Sequence, residues 1–224
     1  MGRVCLVAGA GPGLGRAIAA RFSREGFDVA LLSRRQEALD AMASELPGPG
    51  AGRGYAVDLT DLDALSATIA RVGNEMGPVE VLVYNASGLF EPTDPMGVDP
   101  HAFDTQLRLC ATSAFTAVQA VMPAMRAAGR GTILLTGGGL ALTPETAGPV
   151  AALATGKAAL RALAKILAPV AAKDGVHLAT ITVAGPIGAG TAFDPDRIAD
   201  EYWDVHGEPQ DSWSVERIFR GDPT

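Results

Sequence analysis

The segment Val4-Cys5-Leu6-Val7-Ala8, followed at once by Gly9-Ala10-Gly11-Pro12-Gly13-Leu14-Gly15, decides the fold of this chain. The apolar run predicts a short buried strand, and the apolar spacing over 16–24 predicts a helix directly after the glycines. Between a strand and a helix, glycines let the backbone approach a pyrophosphate, and the helix N-terminus supplies N–H donors. We interpret this Gly-x-x-x-Gly-x-Gly segment as a nucleotide-binding loop; the alternative is an ordinary glycine-rich turn.

Farther along the chain, strand-like and helix-like segments alternate. Apolar runs predict further strands at 29–32, 55–57, 79–84, 132–136 and 177–183. Helical spacing predicts helices around 38–42 and at 62–76, 103–127 and 150–172. Pro123 marks a candidate kink in the helix over 103–127. This alternation predicts an α/β fold with a doubly wound parallel sheet, which is a Rossmann-like three-layer sandwich.

The length of 224 residues is enough for one well-buried core and short for two. We therefore expect residues 1–224 to form a single NAD(P)-binding domain. The C-terminal part of the chain is polar, rich in Pro and Asp, and only weakly periodic. We expect it to be an irregular tail.

Composition excludes several kinds of partner. The formal net charge is −7 and no basic run occurs, so nucleic acid and anionic membrane surfaces are not expected as partners. Two isolated cysteines and three scattered histidines give neither a disulfide framework nor metal-ligand spacing. We therefore expect no metal site. The sequence shows no signal-peptide pattern and no membrane span, so we expect a cytoplasmic protein.

The preference between NAD and NADP is predicted from Ser33-Arg34-Arg35, at the end of the second predicted strand. An acidic residue at this position accepts hydrogen bonds from the ribose 2′-OH of NAD, whereas an arginine suits a 2′-phosphate. We therefore expect NADP(H) to be favoured over NAD(H). The alternative is a pair of surface arginines at the start of a helix.

Taken together, the motifs resemble those of the short-chain dehydrogenase/reductase family over residues 3 to about 195. The glycine loop matches the family's Thr-Gly-x-x-x-Gly-x-Gly, with Ala8 in place of Thr. The resemblance implies that further positions contact the cofactor: Asp58-Leu59 at the adenine, Asn85-Ala86 in the motif after the fourth strand, Lys157 at the ribose, and Gly185, Ile187 and Thr191 in the loop after the sixth strand.

The resemblance fails at three of the four catalytic positions. The family's tyrosine, four residues before its lysine, corresponds to Leu153, and its serine corresponds to Gly137 or Gly138. The position of its asparagine falls near Cys110. No tyrosine lies in the helix over 150–172, so no other register restores the motif. Lys157 is retained, and we expect it to hold the ribose rather than to transfer a proton.

Several functions remain open at this stage. The first is an oxidoreductase with a non-standard site that reduces an imine, an iminium or a conjugated alkene, since these substrates dispense with a tyrosine proton. The alternatives are a non-redox cyclase, dehydratase or isomerase, and a cofactor-binding protein without catalysis.

The expected substrate is a small, apolar organic molecule. The residues suggesting this are Leu89, Phe90, Ile187 and Phe193. By resemblance, a short substrate lid is expected near 186–207, where Tyr202 and Trp203 are candidates for ligand stacking. The long Ala-rich helices are paired between subunits in similar proteins, which implies a homodimer or homotetramer.

Overall fold

Strands and helices alternate throughout the computed structural model, which describes residues 2–88 and 90–221. The strands are β1 (Val4–Ala8), β2 (Asp28–Ser33), β3 (Gly52–Ala56), β4 (Val79–Tyr84), β5 (Gly131–Gly138), β6 (Val176–Val183) and β7 (Glu216–Phe219). The helices are α1 (Leu14–Arg24), α2 (Gln36–Ser44), α3 (Leu62–Met76), α4 (Pro100–Leu107), α5 (Ser113–Ala128), α6 (Ala151–Ala172) and α7 (Pro195–His206).

The strands form one parallel sheet in the order β3-β2-β1-β4-β5-β6-β7. The chain builds outward from β1 to β3, then crosses back to place β4 on the other side of β1. The strand order therefore reverses between β1 and β4. In such sheets the ligand crevice lies at this reversal, beyond the carboxyl ends of the strands.

Both faces of the sheet are buried under helices, which confirms the predicted doubly wound, three-layer architecture. Side chains alternate along each strand, so Leu6 packs into the core beneath α3, α5 and α6, whereas Val7 packs into the core beneath α1, α2 and α7. Burial on both faces explains why a strand such as β1 is a continuous apolar run rather than an alternating one.

The predicted single helix over 103–127 is interrupted, but not at Pro123. The break is a π-helical turn at Arg108–Thr112 that separates α4 from α5, while Pro123 lies within α5. The Ser113 hydroxyl donates to the carbonyl of Arg108, five residues earlier, and the Tyr84 hydroxyl donates to the carbonyl of Leu109 at 2.6 Å. The carbonyl of Arg108 also accepts the backbone N–H of Ser113, which is the i→i+5 bond of the π turn, and the Tyr84 hydroxyl links this turn to β4.

The prediction of an irregular C-terminal tail was wrong. Helix α7 begins with Pro195 after Asp194, whose carboxylate accepts from the backbone N–H of Asp196. It packs against α1 and buries Ile198, Ala199, Tyr202 and Val205. Beyond it, β7 adds a seventh strand beside β6. The spacing of the four buried residues is helical, and it was obscured by the intervening acidic side chains.

The same helix corrects the expected lid near 186–207. Residues 195–206 are a core helix in the layer against α1, so only the preceding loop lies at the crevice. Among the described residues, no helix is long and apolar enough to cross a bilayer.

Candidate active site

The glycine loop is shaped by two close backbone approaches. Gly9 has a φ of +90°, and a Cβ there would lie 2.6 Å from the backbone N of Ala86. A Cβ on Gly15 would lie 2.7 Å from the carbonyl oxygen of Gly9. A larger residue at Gly9 would push the loop away from the segment after β4, and one at Gly15 would push α1 away from the loop.

The outer surface of the same loop is open. A Cβ on Gly11 or Gly13 would meet nothing within 4 Å, and Pro12 is exposed. Gly13 precedes α1 and makes no side-chain cap, so backbone N–H groups at this helix N-terminus are available to a ligand. This open cradle fits the pyrophosphate of a dinucleotide.

Asn85, at the carboxyl end of β4, links the glycine loop to the neighbouring strand. Its amide Nδ2 donates to the carbonyl of Gly9 at 3.0 Å, and its Oδ1 accepts from the Thr136 hydroxyl at 3.1 Å. The Tyr202 hydroxyl lies 2.7 Å from the same Thr136 oxygen. Because the single Thr136 proton goes to Asn85, Tyr202 must donate to Thr136. Sequence reasoning missed this network, since its members are far apart in the chain.

Arg34 and Arg35 lie exposed at the carboxyl end of β2, where Ser33 is half-buried. Asp58 lies beyond β3, and its carboxylate accepts from the backbone N–H and hydroxyl of Thr60. These two hydrogen bonds, helped by the positive charge of Arg34, lower the pKa of Asp58. Leu59 beside it is buried. The structure thus brings the predicted adenine-side and phosphate-side residues to one edge of the sheet.

A cleft of about 700 Å³ continues from the glycine loop across the ends of β4, β5 and β6. Most of its surface is apolar. Its lining includes Leu14, Phe90, Leu140, Leu153, Val183 and Ile187, together with the polar residues Asn85, Ser87, Thr136 and Lys157.

Lys157 is the ionisable group of this lining. It is 5% exposed, and its Nζ donates to the carbonyl of Thr136 at 3.0 Å and to that of Ala86 at 3.4 Å. Burial lowers the pKa of Lys157, which nearby Cys110 raises to a smaller extent. No carboxylate contributes.

The positions matched to the family's catalytic side chains surround Lys157. Leu153, one turn earlier on α6, is 7% exposed and lines the cleft. Gly138 ends β5 in extended backbone, and a Cβ there would stand 3.6 Å from Cγ of Lys157. Cys110 is fully buried in the π turn, where Gly156 lets α6 approach closely. None of these side chains offers an oxygen to the cleft.

Neither Tyr84 nor Tyr202 presents its hydroxyl to the cleft as a proton donor. Tyr84 is fully buried and donates to the carbonyl of Leu109, so it packs in the core. Tyr202 is also fully buried, with its hydroxyl on Thr136. Burial raises the pKa of both phenols. Tyr202 therefore does not stack on a ligand from a mobile lid.

Two sequence-predicted positions, Thr191 and Phe193, are not among the described residues that line the cleft. Thr191 is exposed, and its hydroxyl donates to the carbonyl of Gly188 within a turn. Phe193 packs edge-on against Phe219, with ring centroids 5.8 Å apart, beside Gly185. Leu89 lies outside the described residues. Phe90 and Ile187 do line the cleft, as expected. No group of His, Cys, Asp and Glu in the described parts of the chain could hold a metal ion.

In doubly wound nucleotide-dependent enzymes, the cofactor binds in a crevice at the reversal of strand order, beside a glycine-rich loop. This chain has both features. A model of the short chain dehydrogenase family matches residues 3–195. The chain therefore belongs to the short-chain dehydrogenase/reductase family of oxidoreductases, whose fold binds a nicotinamide cofactor.

The curated relatives have diverse activities. An oxidoreductase of Sarocladium schorii, asL5, is 31% identical over 204 residues, which cover 89% of this chain and 77% of that protein. D-threitol dehydrogenase of Mycolicibacterium smegmatis is 33% identical over 134 residues, which cover 59% of this chain but only 51% of that protein. Several curated relatives are matched over about half of their length.

Three solved structures match 98–99% of this chain. A short-chain dehydrogenase from Rhodopseudomonas palustris superimposes with a TM-score of 0.86 at 25% identity, covering 98% of this chain and 99% of that one. A metagenomic short-chain oxidoreductase in complex with NADP gives 0.85 at 27% identity, covering 99% and 98%. An NAD⁺-bound xylitol dehydrogenase shares the fold at 23% identity, covering 98% of each chain, with a TM-score of 0.88.

Proposed function

We propose that this protein is an NADP(H)-dependent reductase with a non-standard active site. Its substrate is a small apolar molecule whose C=N bond, or whose conjugated C=C bond, accepts hydride. The observation that carries the proposal is the cleft, which joins an open glycine loop to a catalytic region with no phenol among its described lining residues.

The cofactor part of the proposal rests on the residues around the glycine loop. Gly11, Gly13 and the N-terminus of α1 hold the pyrophosphate, and Arg34 with Arg35 holds the 2′-phosphate. The related metagenomic enzyme complexed with NADP supports the same choice. The bound nicotinamide supplies a hydride at the cleft. Lys157, which lines the same cleft, would hold the nicotinamide ribose.

The catalytic part follows from what the cleft lacks. Reduction of a ketone leaves an alkoxide, and general acid help with its proton contributes about 10²–10⁴-fold in rate. Leu153 and Gly138 cannot give that help, because neither side chain carries a donor. An iminium is already protonated, and the carbanion formed from a conjugated alkene can take its proton from water. These substrates need positioning more than acid catalysis.

The apolar lining sets the substrate class. Leu140, Leu153, Val183 and Ile187 present hydrocarbon to the cleft, and Phe90 stands 66% exposed at its mouth. A substrate rich in hydroxyl groups would lose hydrogen bonds to water on entering, at a cost of about 1–3 kcal/mol for each unpaired group. A compact hydrocarbon body with one polar reacting bond fits better.

A non-redox cyclase, dehydratase or isomerase is the second candidate, and a non-catalytic cofactor-binding protein is the third. The replacement of three catalytic side chains favours them, because the fold alone does not fix the reaction. The retained loop and Arg34 favour the reductase, since a non-redox reaction has no need of a bound reductant.

Measurements of NADPH binding and NADPH oxidation distinguish the three candidate functions. NADPH is titrated by its fluorescence, and its oxidation is then followed with cyclic imines, enones and ketones. The reductase proposal expects tight NADPH binding and turnover of imines or enones. Binding without oxidation of NADPH by any of these substrates would contradict it and leave the other two candidates.

A further inference from the structure

Most polar side chains of the cleft are already engaged, and Ser87 is the exception among the described lining residues. Asn85 and Thr136 hydrogen-bond to each other and to groups outside the lining. Lys157 donates to two backbone carbonyls and would hold the nicotinamide ribose. Ser87 is exposed, and its hydroxyl has no hydrogen-bond partner within the described parts of the chain. Its hydroxyl is therefore the one available to a substrate.

Ser87 lies at the end of the cleft where Lys157 is buried. The carbonyl of Ala86 accepts from Nζ of Lys157 at 3.4 Å, and Ser87 is the next residue in the chain. On its other side, Gly88 packs closely against α4, because a Cβ there would overlap the side-chain amide of Gln106. The backbone on both sides of Ser87 is thus held, while its side chain lines the cleft.

Charge restricts what this end of the cleft can accept. The cation of Lys157 lies in the wall, and no Asp or Glu is among the described lining residues. A second cation would be repelled and would find no carboxylate to offset its loss of water. An iminium is such a cation. A carbonyl group conjugated with a C=C bond is neutral, and its oxygen accepts hydrogen bonds. The lining therefore favours the neutral acceptor.

We propose that the cleft reduces the C=C bond of a neutral α,β-unsaturated ketone whose carbonyl oxygen accepts a hydrogen bond from Ser87. This inference rests on the proposed reductase function and narrows its substrate class. The β carbon accepts a hydride from NADPH, the C=C π pair moves toward the carbonyl carbon, and the carbonyl π pair moves onto oxygen. The α carbon of this enolate then takes a proton from water. The products are the saturated ketone, NADP⁺ and hydroxide.

A serine hydroxyl suits this reaction because the carbonyl oxygen gains negative charge as hydride arrives. A donor placed at that oxygen stabilises the transition state more than the ground state. Serine does not release its proton near neutral pH, so Ser87 orients and stabilises the oxygen without replacing the acid that the family's tyrosine supplies. A simple ketone still lacks that acid, since its alkoxide needs a proton on oxygen. The enolate instead takes its proton on carbon.

The first test is kinetic and uses 2-cyclohexen-1-one. At saturating NADPH, Ser87→Ala should lower kcat/KM for this enone by about tenfold or more, and Ser87→Thr, which keeps a hydroxyl, should retain most of it. The dissociation constant of NADPH should not change. Ser44→Ala, an exposed serine on α2, is the control and should leave kcat/KM unchanged. An unchanged kcat/KM in Ser87→Ala would overturn the inference. An equal loss of NADPH affinity would also overturn it, because the hydroxyl would then serve the cofactor.

The second test measures binding without turnover. Cyclohexanone and methylenecyclohexane share a ring and differ in the oxygen that accepts a hydrogen bond, so titrations of the NADP⁺-loaded protein by ligand-observed NMR isolate that bond. Ser87→Ala should weaken cyclohexanone binding by about three- to tenfold and leave methylenecyclohexane binding unchanged. An equal loss for both ligands, or no loss for either, would overturn the inference.

The inference and the proposed function fail in different ways. If the unmodified protein reduces neither 2-cyclohexen-1-one nor the cyclic imine 2-methyl-1-pyrroline, the proposed function fails, and the binding comparison alone decides the role of Ser87. If it reduces the imine and not the enone, the proposed function stands and the inference is overturned. Reduction of the enone that depends on the Ser87 hydroxyl supports both.

Discussion

The hydroxyl of Tyr202 lies 2.7 Å from Oγ1 of Thr136, and this contact ties helix α7 to the strand end that lines the cleft. The Thr136 hydroxyl donates to Oδ1 of Asn85, and Nδ2 of Asn85 donates to the carbonyl of Gly9. The C-terminal helix is therefore connected through three hydrogen bonds to the nucleotide loop. A side chain distant in sequence thus fixes the geometry of that loop.

Tyr202→Phe should weaken the fold without removing the chemistry. The change leaves Thr136 without its donor and should lower the free energy of unfolding by about 0.5–1.5 kcal/mol, measured by urea denaturation. Tyr55→Phe, whose hydroxyl contacts Glu75 at a partly exposed position, is the control and should cost less. Hydride transfer to an imine should survive. Its complete loss in a folded Tyr202→Phe protein would show that this phenol takes part in the reaction.

Arg34→Asp should narrow or reverse a preference for NADPH over NADH. The change removes a cation from the end of β2 and places a carboxylate where the 2′-phosphate is expected to bind. We expect the ratio of the two dissociation constants to change by about tenfold or more. Arg24→Asp, an exposed arginine at the end of α1, controls for net charge. Equal affinities for NADPH and NADH in the unmodified protein would contradict the cofactor proposal.

His206 should make the protein less stable in mild acid. Burial, followed by the positive charge of Arg3, lowers the pKa of His206 from 6.5 to about 4. Between these values the unfolded chain binds a proton that the folded chain does not, so stability is full above pH 6.5 and falls as the pH drops toward 4. At 1.36 kcal/mol per pKa unit, the loss is at most about 3 kcal/mol.

The measurement is the free energy of unfolding across this pH window. His206→Gln should flatten the dependence, whereas the exposed control His101→Gln should not. Glu216 acts at lower pH, because its hydrogen bonds from Arg161 hold its pKa at about 2. If the free energy of unfolding depends on pH as steeply in His206→Gln as in the unmodified protein, groups other than His206 cause the loss of stability.

A homodimer or homotetramer is the expected assembly. Helices α5 and α6 are long and Ala-rich, and they expose Phe115, Ile166 and Val170. Pairing of such helices across a two-fold axis would bury these side chains. The double change Ile166→Glu with Val170→Glu should give monomers by light scattering, while Met96→Glu, also on an exposed apolar residue, should not. A monomer at micromolar concentration in the unmodified protein would contradict this proposal.

The fold could be predicted from sequence because its strands are buried on both faces. A continuous apolar run such as Val4–Ala8, followed directly by turn residues, is typical of a buried strand. Helix α7 was missed because its four buried residues are separated by acidic side chains that face water. The π turn at Arg108–Thr112 had no local signal, since it is held by Tyr84 from a distant strand.

Part of the candidate site could also be predicted from sequence, and part could not. The glycine loop and the position of Lys157 are local motifs, and the structure places them beside one cleft. Thr191 was placed in the wrong setting because its hydroxyl closes a turn with Gly188. The Tyr202–Thr136–Asn85 network depends on the packing of α7 against the sheet. Local sequence patterns do not predict that packing.

The central claim is that the cleft lacks an acid for ketone reduction, and restoring that acid tests it most directly. Leu153→Tyr combined with Gly138→Ser places a phenol and a hydroxyl beside Lys157. A Cβ at Gly138 makes only ordinary contacts, and its backbone is extended, so serine fits there. The measurement is NADPH oxidation with a panel of simple ketones and aldehydes. We predict little oxidation by the unmodified protein despite clear NADPH binding, and an increase of about 10²-fold or more in the double variant. Brisk ketone reduction by the unmodified protein would contradict the account.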